Sequence, residues 1–160
     1  MSNNVRIAIN GFGRIGRAFY KLAKQHPNFE IVAVNDLGDP ENMAYLLKYD
    51  TAYGKSDFAV SFVPATETEE AGFLVDDKKV ILVQEKDATK LPWARLGIDV
   101  VIECTGHLTA YDKAQVHLTA GAKRVVISAP AKGAPVDGVT SAMVRSEEHT
   151  SELQSHHDLV

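Results

Sequence analysis

Cysteine is nearly absent. The 160-residue chain has one, Cys104, which excludes an internal disulfide and any metal site built on several thiolates, and which suits a reducing compartment. Long apolar runs are missing as well. No stretch approaches the roughly 18 to 20 consecutive apolar residues of a membrane span, and the start, Met1-Ser2-Asn3-Asn4-Val5-Arg6, lacks the layout of a secretory signal. These absences predict a cytoplasmic protein with no membrane partner. Basic charge is not in excess either: 17 basic against 21 acidic residues leave a net charge of −4. Because phosphate backbones are bound by concentrated basic patches, no nucleic-acid partner is expected. What remains is an ordinary globular composition, 45% hydrophobic and 24% charged, with enough residues for one core.

The order of apolar runs predicts the fold class. Val5 to Ile9 reads as a short buried strand, and Arg14 to Gln25 as a helix with Ile15, Ala18, Phe19, Leu22 and Ala23 on its buried face. Ile31 to Asn35 is a second buried strand, completing a parallel strand–helix–strand crossover. Asp39 can cap, and Pro40 start, a helix through Leu47. From Phe58 to Val83 the pattern changes to alternation (Phe58, Val60 and Phe62 on one face), an Asp76-Asp77 turn and a strand over 80–83, which predicts an antiparallel insertion. The first rhythm then resumes with a strand at Ile98 to Ile102, a helix from Thr109 to Ala120 ended by Gly121, and a strand at Arg124 to Ile127. The expected class is α/β, a doubly wound, mostly parallel sheet with an antiparallel insertion.

The segment between the first strand and first helix carries chemistry. Gly11-Phe12-Gly13-Arg14-Ile15-Gly16 follows Asn10 and fits the G-x-G-x-x-G pattern. The first glycine permits a tight turn, the second lets the backbone approach a pyrophosphate, and the third lets helix and strand pack closely beneath the helix N-terminus. Asp36 stands at the end of the second strand, placed to accept hydrogen bonds from an adenosine ribose and to repel a 2′-phosphate, so NAD is favoured over NADP. The blander reading makes these glycines simple turn residues and Asp36 a strand-end cap. In open α/β sheets ligands lie across the carboxyl ends of the strands, which adds Thr105 and Ser128 as candidates; each can equally be a loop hydroxyl serving its own backbone.

Five blocks carry a resemblance. Ala8 to Arg17, Val34 to Leu37, Tyr45 to Thr51, Asp99 to Gly106 and Ala120 to Pro130, in that order, resemble the cofactor half of the phosphorylating glyceraldehyde-3-phosphate dehydrogenases. The resemblance runs from about Val5 to Val144 and implies a Rossmann domain over residues 1–144, truncated relative to the family. It implies a cofactor site of Asn10, Gly11, Gly13, Arg14, Ile15, Gly16, Asp36, Lys86, Thr105, Gly106 and Ser128. Arg14 and Ile15 would lie at the pyrophosphate, Lys86 near the adenine, and Thr105 and Ser128 on the nicotinamide side. Leu37 resembles the NAD-preferring form. Two positions depart from the family: Lys86 replaces a common arginine and cannot reproduce its planar stacking, and Leu108 replaces a usual aromatic. Asn35 before Asp36 favours the glyceraldehyde phosphate enzymes over the similar erythrose-4-phosphate dehydrogenases.

The family's nucleophilic cysteine, in a Ser-Asn-Ala-Ser-Cys-Thr-Thr-Asn-Cys stretch, and its activating histidine have no counterpart here. Cys104 matches a structural position, and a strand-end cysteine behaves as a small hydrophobe. No catalytic residue is therefore expected in this chain, and no turnover of glyceraldehyde 3-phosphate. The resemblance also implies a homotetramer for the family; lacking a further strand and a returning helix, this chain is expected to associate or aggregate instead. Residues 145–160 hold Arg145 against Glu147, Glu148, Glu152 and Asp158, three of the four net negative charges, and half of the six histidines. From Arg145 onward the sequence resembles a translated sequencing adapter, which predicts a non-native, disordered tail. A natural acidic tail, or a metal site at His149, His156, His157 and Asp158, are the competing readings; the spacing fits no standard zinc pattern, and no metal is expected. A stand-alone NAD-binding module is the alternative to an enzyme fragment.

Overall fold

The computed structural model describes residues 3–50 and 54–142. The expectations for 145–160 fall outside the described residues. The chain begins with β1 (Val5–Asn10), α1 (Arg14–Lys24) and β2 (Phe29–Asn35), a parallel crossover with a register shift between Ile7 and Ala8. Along β1 the side chains alternate: Ile7 and Ile9 enter one apolar core, Ala8 the other. α1 buries Gly16, Tyr20 and Ala23, whereas Ile15 and Leu22 are 57% and 69% exposed. The expected buried face is thus rotated. The cause is Gly16, whose missing side chain lets α1 settle against the carbonyl of Gly11 and turns the Gly16 side inward.

α2 (Pro40–Lys48) starts as expected: Asp39 accepts from the Asn42 amide at 2.8 Å, and proline fills the first turn. After a small hairpin of β3 (Tyr49–Asp50) and β4 (Gly54–Lys55) come β5 (Val60–Val63), β6 (Gly72–Val75) and β7 (Lys78–Val83). Asp76 and Asp77 have φ of 48° and 70°, the two left-handed residues of a type I′ hairpin turn. The antiparallel insertion is not a separate body. β7 lies parallel to β2, and β6 and β5 continue outward antiparallel. Phe12, Tyr20, Phe58 and Phe73 fill the space beneath, with ring centroids 5.9–6.2 Å apart along the chain of contacts.

On the other side of β1 lie β8 (Val100–Glu103), β9 (Arg124–Ile127) and β10 (Val139–Ser141), all parallel. The full order is β10-β9-β8-β1-β2-β7-β6-β5, the mostly parallel α/β sheet the sequence predicts. The helix expected over Thr109 to Ala120 is instead two short ones, α3 (Tyr111–Ala114) and α4 (Val116–Thr119). Thr109 and Ala110 cannot join it, because they bond the extended Lys132: its amide donates to the Thr109 carbonyl, and the Tyr111 amide to its own. The segment with Leu91, Trp93, Leu96 and Ile98 covers the sheet face that Ala8, Ala33 and Val101 present.

Candidate functional site

Strand order reverses direction about β1, with β2 on one side and β8 on the other, and the crevice over their carboxyl ends is where such sheets take ligands. Gly11 opens it with φ of 94°; a Cβ there would lie 2.8 Å from the backbone of Cys104 and Thr105. The loop must therefore be glycine to pass β8 so closely. Gly13 caps α1 without a side-chain hydrogen bond, the first turn holds no acid, and a Cβ on Gly13 would meet nothing within 4 Å. An eleven-residue helix thus points uncapped amides into open space, an arrangement suited to an anionic ligand. Arg14 and Ile15 are exposed at the same rim.

Asp36, after β2, is tied into this loop. Its Oδ2 accepts from the Phe12 amide at 2.7 Å and its Oδ1 from the Gly38 amide at 2.8 Å. Arg17 braces the loop from behind, donating to the Phe12 carbonyl at 3.0 Å. Lys86 is exposed at the exit of β7. The preceding Glu85 donates its amide to Asn35 Oδ1 and accepts from Asn35 Nδ2 through its carbonyl, at 2.9 and 3.1 Å, so Lys86 is held beside the β2 end. Gly106, with φ of 78°, and Ser128 follow β8 and β9. The Ser128 hydroxyl is engaged with the Cys104 side chain; burial, and the Glu103 charge beside it, push the thiol up to about 11 despite that hydrogen bond. Such a thiol is a poor nucleophile at neutral pH.

Beneath the crevice lies a polar chain that sequence reasoning missed. Asn35 Nδ2 donates to Asn10 Oδ1 at 2.8 Å, and Asn10 Nδ2 donates to Glu103 Oε1 at 2.7 Å. Asn10 is therefore buried, with both ends of its amide engaged under the glycine loop. His117 Nε2 meets the same Glu103 oxygen at 2.7 Å, and Trp93 Nε1 donates to His117 Nδ1 at 3.0 Å. An indole N–H needs a lone pair, so Nδ1 is unprotonated and the ring proton sits on Nε2, donated to Glu103. Glu103 Oε2 accepts from the amide of Thr105 at 2.9 Å and from its hydroxyl. Glu103 is 1% exposed, His117 and Trp93 0%. Burial pushes the Glu103 carboxyl up, but hydrogen bonds from His117, Thr105 and Asn10 outweigh it and hold it below its ordinary value. The one sequence signal was a glutamate closing an otherwise apolar strand.

A cavity of about 570 Å³ lies elsewhere, at the far end of α1 against Lys21, Lys24, Lys55 and Asp57. It shares no residue with the crevice. Among the described residues no group of three or more metal-ligating side chains converges, and no helix is long and apolar enough to cross a membrane.

Comparison with known proteins agrees with this geometry. Residues 5–111 match the family described as "Glyceraldehyde 3-phosphate dehydrogenase, NAD binding domain". Proteins named glyceraldehyde-3-phosphate dehydrogenase from Mycoplasma pneumoniae, Clostridium pasteurianum and Thermotoga maritima are 50%, 49% and 48% identical over 131, 126 and 130 residues. Those matches cover 82%, 79% and 80% of this chain but 37%, 36% and 37% of the relatives. The chain thus spans little more than a third of their length.

Proposed function

The chain belongs to the glyceraldehyde-3-phosphate dehydrogenase family through its NAD-binding domain, and from that premise we propose that residues 1–144 form the cofactor half of a phosphorylating, NAD-dependent glyceraldehyde-3-phosphate dehydrogenase of glycolysis, with 145–160 a non-native tail. The observation that carries the reading is the tie between Asp36 and the Phe12 amide, which makes the acid, the glycine loop and the open end of α1 one rigid piece. On this reading the uncapped amides of α1, with Arg14 and Ile15, receive the pyrophosphate, and Asp36 keeps a ribose hydroxyl and excludes a 2′-phosphate. Lys86 lies towards the adenine, and Thr105, Gly106 and Ser128 towards the nicotinamide, while Asn10 supports the loop from below. When bound, NAD supplies a hydride acceptor. The chain's own residues bind and orient it, and Cys104, the one cysteine of the sequence, is engaged by Ser128 and does not serve as nucleophile for an acyl intermediate. The protein is cytoplasmic on this reading, and the family implies a homotetramer.

Calorimetry with NAD and NADP tests the assignment. NAD is expected to bind more tightly, and Asp36→Asn, which keeps an acceptor for the Phe12 amide, is expected to narrow the preference about tenfold by removing the charge. Equal affinities for the unaltered chain would end the assignment of Asp36.

A further inference from the structure

Consecutive residues at the end of β7 hold the exit of β2, and one of them does so through its side chain. The Asp36 amide donates to the Val83 carbonyl at 3.1 Å, Glu85 is bonded twice to the Asn35 side chain, and between them Gln84 Nε2 donates to the Gly38 carbonyl at 2.9 Å. We propose that Gln84 is a specificity-determining residue, a strut that acts through Gly38 to fix the Asp36 carboxylate in the orientation that accepts an adenosine ribose and turns away a 2′-phosphate. The inference rests on the reading of Asp36 given above and extends it to a positioning residue one step further out.

The chain of contacts is short. Only Leu37 and Gly38 separate Asp36 from Asp39, which caps α2, so few bonds decide where Gly38 sits. Its amide donates to Asp36 Oδ1 at 2.8 Å and its carbonyl accepts from Gln84. Gly38 also lies hard against the acid: a Cβ on it would come within 3.2 Å of Asp36 Oδ1. The two oxygens of Asp36 are thus held by different segments, Oδ2 by the Phe12 amide of the glycine loop and Oδ1 by the Gly38 amide. The first contact fixes one oxygen, and the second stops the carboxylate turning about it. A carboxylate offers about four lone-pair sites; with two taken by these amides, the others stay in a fixed plane for the neighbouring hydroxyls of a ribose. Without the Gly38 contact the carboxylate would pivot about the Phe12 amide, which weakens its hold on the 2′-hydroxyl and blunts a repulsion that depends on the distance between two charges. Gln84 is exposed, and an exposed glutamine can bond water instead, so the value of its bond lies in the position it gives Gly38. A strut that merely steadied the start of α2 would make the same bond; the two roles differ in what they do to cofactor discrimination.

Calorimetry on the full chain with NAD, NADP and an NAD analogue lacking the adenosine 2′-hydroxyl separates them. Gln84→Met, similar in length but without an N–H, is expected to weaken NAD about threefold, the lower end of what one hydrogen bond contributes. It should leave the 2′-deoxy analogue unchanged and narrow the preference for NAD over NADP by at least the same factor. Gln84→Asn, one methylene shorter and still polar, falls short of Gly38 and is expected to reproduce that narrowing, so the test does not hang on one variant. Adding Gln84→Met to Asp36→Asn is expected to narrow the preference no further than Asp36→Asn does by itself, since the strut then has no charge left to aim. Equal weakening of NAD, NADP and the 2′-deoxy analogue would make Gln84 a structural strut and overturn the proposal. An unchanged NAD-to-NADP ratio in both Gln84 variants, in a chain whose Asp36→Asn variant does narrow it, would overturn the proposal and leave the reading of Asp36 standing. Equal affinities of the unaltered chain for NAD and NADP would overturn the reading of Asp36 and this inference together.

Discussion

On the β2 side of β1 the crevice is walled by main chain: glycines, amides and one carboxylate fastened to them, over a floor of packed aromatic rings. On the β8 side it rests on side chains, a buried carboxylate, imidazole and indole drawn from β8, α4 and the segment before β8. The first side depends on what is small, because a Cβ at Gly11 or Gly16 would find no room. The second depends on what is polar and paired, because each buried donor or acceptor there would be costly alone. Substitutions should therefore damage the two sides by different mechanisms.

The largest effect is expected on the polar side. Trp93→Ala empties a fully buried site and strips His117 Nδ1 of its donor, and should cost about 3–5 kcal/mol in urea unfolding. A loss below about 1 kcal/mol would mean that the network is not integral to that flank. On the glycine side, Gly16→Val drives a side chain into the Gly11 carbonyl; a cost of about 1–3 kcal/mol is expected from overpacking, together with loss of NAD binding. Binding that survives would show that the loop can shift without consequence.

Acid should act chiefly on the polar flank. Glu103 has its carboxyl lowered from an ordinary value of 4.5, so it adds stability that is present above that pH and lost as pH falls through its lower folded value. Asp99, lowered first by the Arg6 amide and then by Lys123, adds to the same slope. Glu103→Gln should be less stable at neutral pH yet lose stability less steeply between about pH 5 and pH 2, followed by thermal melts across that range; parallel slopes would contradict the lowered carboxyl. The smallest effect belongs to the outer hairpin, where Asp77→Gly relieves a φ of 70° and should gain about 0.5 kcal/mol.

What could be read from sequence divides along the same line. The glycine loop, Asp36, and the Asp39-Pro40 helix start are encoded by neighbours along the chain, and their signals are local. The strand beginning expected at Ile98 starts instead at Val100, because the Asp99 carboxylate turns to the Arg6 amide. The buried face of α1 departs from apolar periodicity, which favours Ile15 and Leu22, because a contact between Gly16 and Gly11 sets the helix rotation. The helix over 109–120 broke because its first residues were taken by Lys132, a partner no local pattern discloses. Glu103, His117 and Trp93 meet only once β8, α4 and the 91–98 segment are in place; as single letters, a glutamate, a histidine and a tryptophan look like a strand end and two helix or loop residues.

The position of β1 has a consequence in time. Synthesised first, it ends in the middle of the sheet, with one neighbour near in sequence, as in the Asn35 to Asn10 contact across 25 residues, and the other far, as in the Arg6 to Asp99 contact across 93. Loop closure favours the nearer partner. A nascent chain can therefore zip β1, α1 and β2 together while the ribosome is still adding β8, and during that interval one edge of β1 stands open with Asn10 awaiting Glu103. The half of the sheet that emerges early is exposed to wrong partners for as long as translation takes to deliver the right one.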